Sequence, residues 1–122
     1  MAQRNGGGRY PRTARVNELV REIVAEELTR IDDARLELVA VTQVEVDREL
    51  ERAVVYIDAL GGADDDEAVL SALSEHRVRL QGAIGRQARL RRTPQLQFRA
   101  DDVARGAARI ESIIRGFHDE EG

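Results

Sequence analysis

At 122 residues, 42% hydrophobic and 34% charged, the chain has the size and composition of one globular domain with a modest core. It has no cysteine, which excludes disulfides, thiolate metal sites and cysteine nucleophiles, and no apolar run near the roughly 18 residues a membrane helix needs. Its net charge of −4 excludes a uniformly basic surface, but the charge is segregated: residues 1–17 hold four Arg and no acid, 18–75 hold 17 acids and five Arg, and 76–100 hold seven Arg and no acid.

Residues 1–12 read as a flexible basic arm, with three glycines at Gly6 to Gly8 and then Pro11. The arm is basic but has no apolar stretch of the kind a secretory signal carries, so a cytoplasmic protein is expected. Residues 13–117 form the expected domain, and 118–122 a tail. A helix is expected from Thr13, as N-cap, to about Asp32-Asp33. Val16, Leu19, Val20, Ile23, Val24, Leu28 and Ile31 fall on one side of it at helical spacing.

Leu36 to Val46, rich in Val and Thr, predicts a strand. Arg52 to Leu60 predicts a second, with Ala53, Val55, Ile57 and Ala59 on one face. The short connection between them makes the pair antiparallel, and Gly61-Gly62 end it. A further helix starts in Asp64-Asp65-Asp66-Glu67, where Asp64 and Glu67 have capping-box spacing. Val69, Leu73, Leu80 and Ile84 can line one side. Pro94 forbids helix, so Gln95 to Phe98 reads as a short third strand with Leu96 and Phe98 inward. Asp101 or Asp102 then caps a last helix bearing Val103, Ala107, Ile110, Ile113, Ile114 and Phe117. The expected fold is a small α+β domain with a three-stranded sheet covered by helices.

The acid-free Arg77 to Phe98 stretch is the feature that bears on function. A local excess of guanidinium groups can hold phosphate whatever the net charge. The same pattern also fits a basic helix face whose partners are acids elsewhere in the fold. Within it, Gly82 to Gly85 spell G-x-x-G, the form of a backbone turn that holds nucleic acid in KH domains. A helix after such a turn would have only Arg86 to Thr93, about two turns, before Pro94.

Catalysis has little to stand on. The two histidines, His76 and His118, lie far apart in the chain; the Asp64 to Glu67 acids suit a helix N-terminus, and no phosphate-binding glycine loop is present. Aromatic residues make up 3% of the chain, too few for a base-stacking platform. No enzymatic activity, cofactor or metal is expected.

Three stretches together carry a family resemblance. "RVNELVREIVAEELTRI" spans Arg15 to Ile31. "VTQVEVDRELERAVVYI" spans Val41 to Ile57 and follows V-T-x-V-x-V-S-x-D-L-x-x-A-x-V-Y-V. "GRQARLRRTPQLQF" spans Gly85 to Phe98 and follows G-K-x-x-R-L-R-x-x-P-x-L-x-F. In this order they resemble the bacterial ribosome-binding factor A family over about residues 13–116. The resemblance implies a KH-like (type II) fold of order α-β-β-α-α-β, with a C-terminal helix after it. It also implies a monomeric, non-catalytic assembly factor that binds the small (30S) ribosomal subunit and 16S rRNA late in maturation, with an assembly GTPase as a suggested further partner.

In the family's register the break between the two middle helices falls at His76-Arg77-Val78. The family has Ala-x-Gly there, and this chain departs from it. Gly85 would then cap the second of those helices and Gly82 would be an exposed helix position. The implied RNA-binding residues are Arg12, Arg15, Arg77, Arg79, Arg86, Arg89, Arg91 and Arg92, with Arg4 and Arg9 in the arm. The alternative reading is a protein-interaction module that docks a basic partner on its acidic 18–75 surface without binding RNA.

Overall fold

The computed structural model describes residues 11–103. The first helix, α1, runs Pro11–Leu28. Proline suits a first helical position because its φ is already helical and its missing N–H has no partner to lose there. Thr13, expected as the N-cap, therefore lies inside the first turn. Val20, Ile23, Val24 and Leu28 are buried, while Leu19 sits at the edge of the stripe, 36% exposed.

The helix ends at Leu28, earlier than Asp32-Asp33. The next N–H groups turn back tightly, Thr29 to the Glu26 carbonyl at 3.1 Å and Arg30 to the Glu27 carbonyl at 2.9 Å. Asp33 then caps a short 3-10 turn, Ala34–Leu36, by accepting from the Arg35 N–H at 3.0 Å. That turn takes up Leu36, so strand β1 begins three residues later than expected and spans Val39–Val46.

Strand β2, Arg52–Ala59, pairs antiparallel with β1, with Val44 opposite Val55 and Val46 opposite Ala53. Asp47 closes the connection: its N–H bonds the Arg52 carbonyl at 3.0 Å and its carboxylate accepts from the Glu51 N–H at 2.7 Å. The register slips between Val41 and Gln43, leaving Thr42 as the extra residue of a bulge. Its hydroxyl meets the carboxylate of buried Asp101. As the alternation required, Ala53, Val55, Ile57 and Ala59 face the core, all at 2% exposure or less.

Gly62, at φ 113, turns the chain out of the sheet, a conformation that only glycine takes cheaply. A 3-10 turn, Ala63–Asp65, leads into α2, Asp66–Glu75. The expected Asp64–Glu67 capping box does not form: Asp64 is used inside the 3-10 turn, and the cap residue Asp65 makes no side-chain cap bond. After the single residue His76, α3 runs Arg77–Gln87. Strand β3, Gln95–Ala100, then pairs parallel with β2, with Ala53 opposite Leu96 and Val55 opposite Phe98.

The sheet order is β1-β2-β3. Helix α1 packs on β1 and α3, and α2 packs on β3. Val20, Val24, Val55, Ile57, Leu73, Leu80, Ile84 and Leu96 meet in one core at 1% exposure or less. Each large aliphatic side chain buried there contributes roughly 1.5–3 kcal/mol. The element order is α-β-β-α-α-β, as expected. Asp102 and Val103 are helical; the remaining expected stripe of the last helix, Ala107 to Phe117, lies outside the described residues.

Candidate nucleic-acid interface

The acid-free stretch folds into α3, the loop after it and β3. The glycines of Gly82 to Gly85 lie inside α3, so no G-x-x-G loop forms. Nor does Gly85 cap the helix. The stripe of Leu80, Ala83 and Ile84 continues to buried Ala88, whose N–H bonds the Ile84 carbonyl at 2.9 Å. The left-handed residue after that cap is Arg89, at φ 52. Gly85 serves packing instead, because a Cβ there would stand 3.2 Å from the Thr93 hydroxyl oxygen of the returning loop.

The helix break falls at His76, within the expected His76-Arg77-Val78. His76 has φ −99 and ψ 12, and its N–H is shared between the Ala72 and Leu73 carbonyls at 3.1 and 3.2 Å. Its carbonyl accepts from the Leu80 N–H at 3.0 Å, so bonded backbone continues on both sides of a one-residue joint. Val78 stands 81% exposed on the outer face of α3.

The eight arginines expected to bind RNA do not behave alike. Arg79, 45% exposed, is tied to a buried carboxylate. Its Nε donates to Glu27 Oε2 at 2.9 Å and its terminal nitrogen approaches the Arg30 carbonyl at 3.3 Å. Glu27 is buried on α1, and the guanidinium of Arg79, assisted by Arg30, holds its carboxyl below the usual carboxylate range. Arg92 makes an exposed pair with Glu51 at 3.2 Å, which contributes little to stability.

Arg77, Arg86, Arg89 and Arg91 make no ion pair among the described residues. Arg77 is half-buried at the start of α3; the other three are exposed at its end and in the loop. Arg15 is exposed on α1, and of Arg12 only the backbone, in the first turn of α1, is described. The structure thus gathers Arg86, Arg89, Arg91 and Arg92 around one helix end and the loop that follows it.

Two carboxylates that the sequence did not single out organise this region. One is Glu27. The other is Asp33, which accepts from the Arg35 N–H and Nε at 3.0 Å each, from an Arg35 terminal nitrogen at 2.7 Å, and lies 3.0 Å from His76 Nε2. Arg35 first and His76 second hold the Asp33 carboxyl far below its ordinary range. Arg35 also grips Glu75 at 2.7 and 3.1 Å. Among the described residues no cluster of three or more His, Cys, Asp or Glu could hold a metal, and no helix is long and apolar enough to cross a membrane.

A three-stranded sheet in α-β-β-α-α-β order, with the third strand parallel to the second, defines a KH-like domain of type II. The family model for ribosome-binding factor A matches residues 12–114. A ribosome-binding factor A from Rhodopseudomonas palustris is 39% identical over 117 residues, which are 93% of this chain and 86% of the relative. One from Rubrobacter xylanophilus is 38% identical over 112 residues, 91% of each chain.

The crystal structure of ribosome-binding factor A from Thermus thermophilus superposes with a TM-score of 0.65 at 32% identity, covering 70% of this chain and 92% of that one. A homology model of the Thermus thermophilus factor, as fitted into a cryo-electron-microscopy map of a 30S complex, gives a TM-score of 0.56 at 33% identity, over 66% of this chain and 86% of that one. The chain belongs to the ribosome-binding factor A family.

Proposed function

We propose that this chain binds the immature small (30S) ribosomal subunit and assists late maturation of 16S rRNA, as a monomer and without bond chemistry of its own. The observation that carries this reading is a group of cations in α3 and the loop after it that make no ion pair among the described residues, Arg77, Arg86, Arg89 and Arg91, with Arg92 beside them in an exposed, weak pair. In a chain of net charge −4, an arginine that finds no acid among the described residues is available to phosphate. Arg89 holds the left-handed position that closes α3, at a cost of roughly 1–2 kcal/mol, with its side chain exposed. The membership in a family named for ribosome binding, and the relative fitted into a 30S complex, support the choice of RNA particle.

Contacts of this type go mainly to the phosphate backbone, so they position the protein without reading bases. The test is co-sedimentation with purified 30S subunits and with 70S ribosomes at several salt concentrations. Binding to 30S in preference to 70S is expected, weakening with salt. The Arg86→Glu/Arg89→Glu/Arg91→Glu variant is expected to lose most of it. Equal binding by that variant would move the interface elsewhere, and binding to neither particle would refute the reading.

A further inference from the structure

We propose that Asp33 is a positioning residue for the arginine surface: by gripping His76 it sets the direction in which α3 leaves α2. The inference rests on the RNA-binding reading above and deepens it, since it concerns what aims the cations rather than the cations themselves.

The joint between the two helices is one residue long. Backbone hydrogen bonds continue on both sides of His76, so the course of α3 depends on that residue's two backbone dihedrals. Neither glycine nor proline stands there to dictate them. The dihedrals lie in the sparsely populated bridge region, which the surrounding structure must hold.

The hold comes from the loop between α1 and β1. Asp33 is fixed independently of His76, because it caps the 3-10 turn through the Arg35 N–H. From this anchored place its second oxygen reaches His76 Nε2 at 3.0 Å. Arg35, held by the same carboxylate, reaches the preceding residue, Glu75, with two bonds. The last two residues before α3 are thus tied to one loop. A second tie follows one helical step later, where Arg79 meets Glu27 on α1. The joint is bracketed by two acid–base pairs to the same neighbouring region; Arg77 lies inside the bracket, and Arg86, Arg89 and Arg91 lie beyond it.

The His76 side chain is 28% exposed and that of Asp33 12%, and the apolar core of both helices packs without either. Removing the His76–Asp33 bond should therefore change the aim of α3 more than the stability of the fold.

The test compares the full chain with His76→Ala, which removes the grip, and His76→Gln, whose amide can still donate to Asp33. Affinity for 30S subunits is measured across a salt series, together with the melting temperature and the α2–α3 orientation from residual dipolar couplings. The expected result for His76→Ala is a rotated α3, about tenfold weaker binding, and a salt slope reduced by about 1, as when one arginine no longer reaches its phosphate. His76→Gln should restore both affinity and slope.

A His76→Ala protein that melts lower yet keeps wild-type orientation, affinity and salt slope would overturn the proposal and leave Asp33 a purely stabilising residue. Loss of binding that His76→Gln fails to restore would also overturn it. If the wild-type chain itself shows no salt-dependent binding to 30S, the RNA reading falls and this inference falls with it, a result distinct from either of the others.

Discussion

Glu27 and Arg79, 52 residues apart in the chain, meet at 2.9 Å between α1 and the first turn of α3. The pair separates a structural arginine from the unpaired ones near it. Arg79→Ala leaves a buried carboxylate without its main partner and is expected to lower the melting temperature by about 5 °C or more. Arg86→Ala should leave it within about 1–2 °C. Thermal unfolding by circular dichroism distinguishes them, and the order should reverse for 30S affinity.

Arg89 offers a substitution whose two effects have opposite signs. Arg89→Gly relieves the left-handed strain and is expected to stabilise the fold by about 1 kcal/mol, while removing a cation weakens 30S binding severalfold. Urea denaturation and co-sedimentation of one variant measure both.

The two glycines of α3 should respond differently to alanine. At Gly82 an added Cβ meets only the mobile end of Arg86, 3.3 Å away, and the helix gains about 1 kcal/mol. At Gly85 the added methyl group presses on Thr93 at 3.2 Å, and that gain should shrink or vanish. Chemical denaturation of Gly82→Ala and Gly85→Ala is sufficient to compare them.

Acid should unfold the chain through a small set of carboxylates. Glu27, Asp33 and Glu75 all have folded-state values held below their unfolded ones by arginine partners, with His76 adding to the effect on Asp33. Their contribution is complete above the unfolded values, near pH 4, and is lost as pH falls through the folded ones. The melting temperature is therefore expected to be flat from about pH 8 to 5 and to drop below about pH 4. Asp33→Asn should lower the plateau and make the drop shallower.

Periodicity and chain breakers carried most of the fold. The inward face of β2, the Val69–Leu73–Leu80–Ile84 stripe and the strand after Pro94 were all legible, because each is dictated by local spacing. The ends were less so. Thr13 and Asp64 looked like caps, but Pro11 could start α1 earlier and a 3-10 turn absorbed Asp64. Gly85 looked like a stop, but buried Ala88 carried α3 past it.

For the candidate interface, the sequence marked the arginine stretch and the break at His76. It could not show that Arg79 would be taken by Glu27, or that Asp33 would reach His76. Those pairings span 52 and 43 residues, and no spacing rule connects them.

The parallel pairing of β3 with β2 has a consequence for how the molecule is made. The β1–β2 hairpin closes over a handful of residues, but Arg52 finds Gln95 only after both middle helices have been laid down. High contact order of this kind delays the last step of folding. During synthesis, the hairpin can form while the ribosome still holds the C-terminal third, leaving Val55 and Ile57 without Leu96. The arginine loop just before β3 acquires its shape only when that strand docks. A chain still emerging would therefore lack the finished arrangement of Arg86, Arg89, Arg91 and Arg92 until synthesis has passed Leu96.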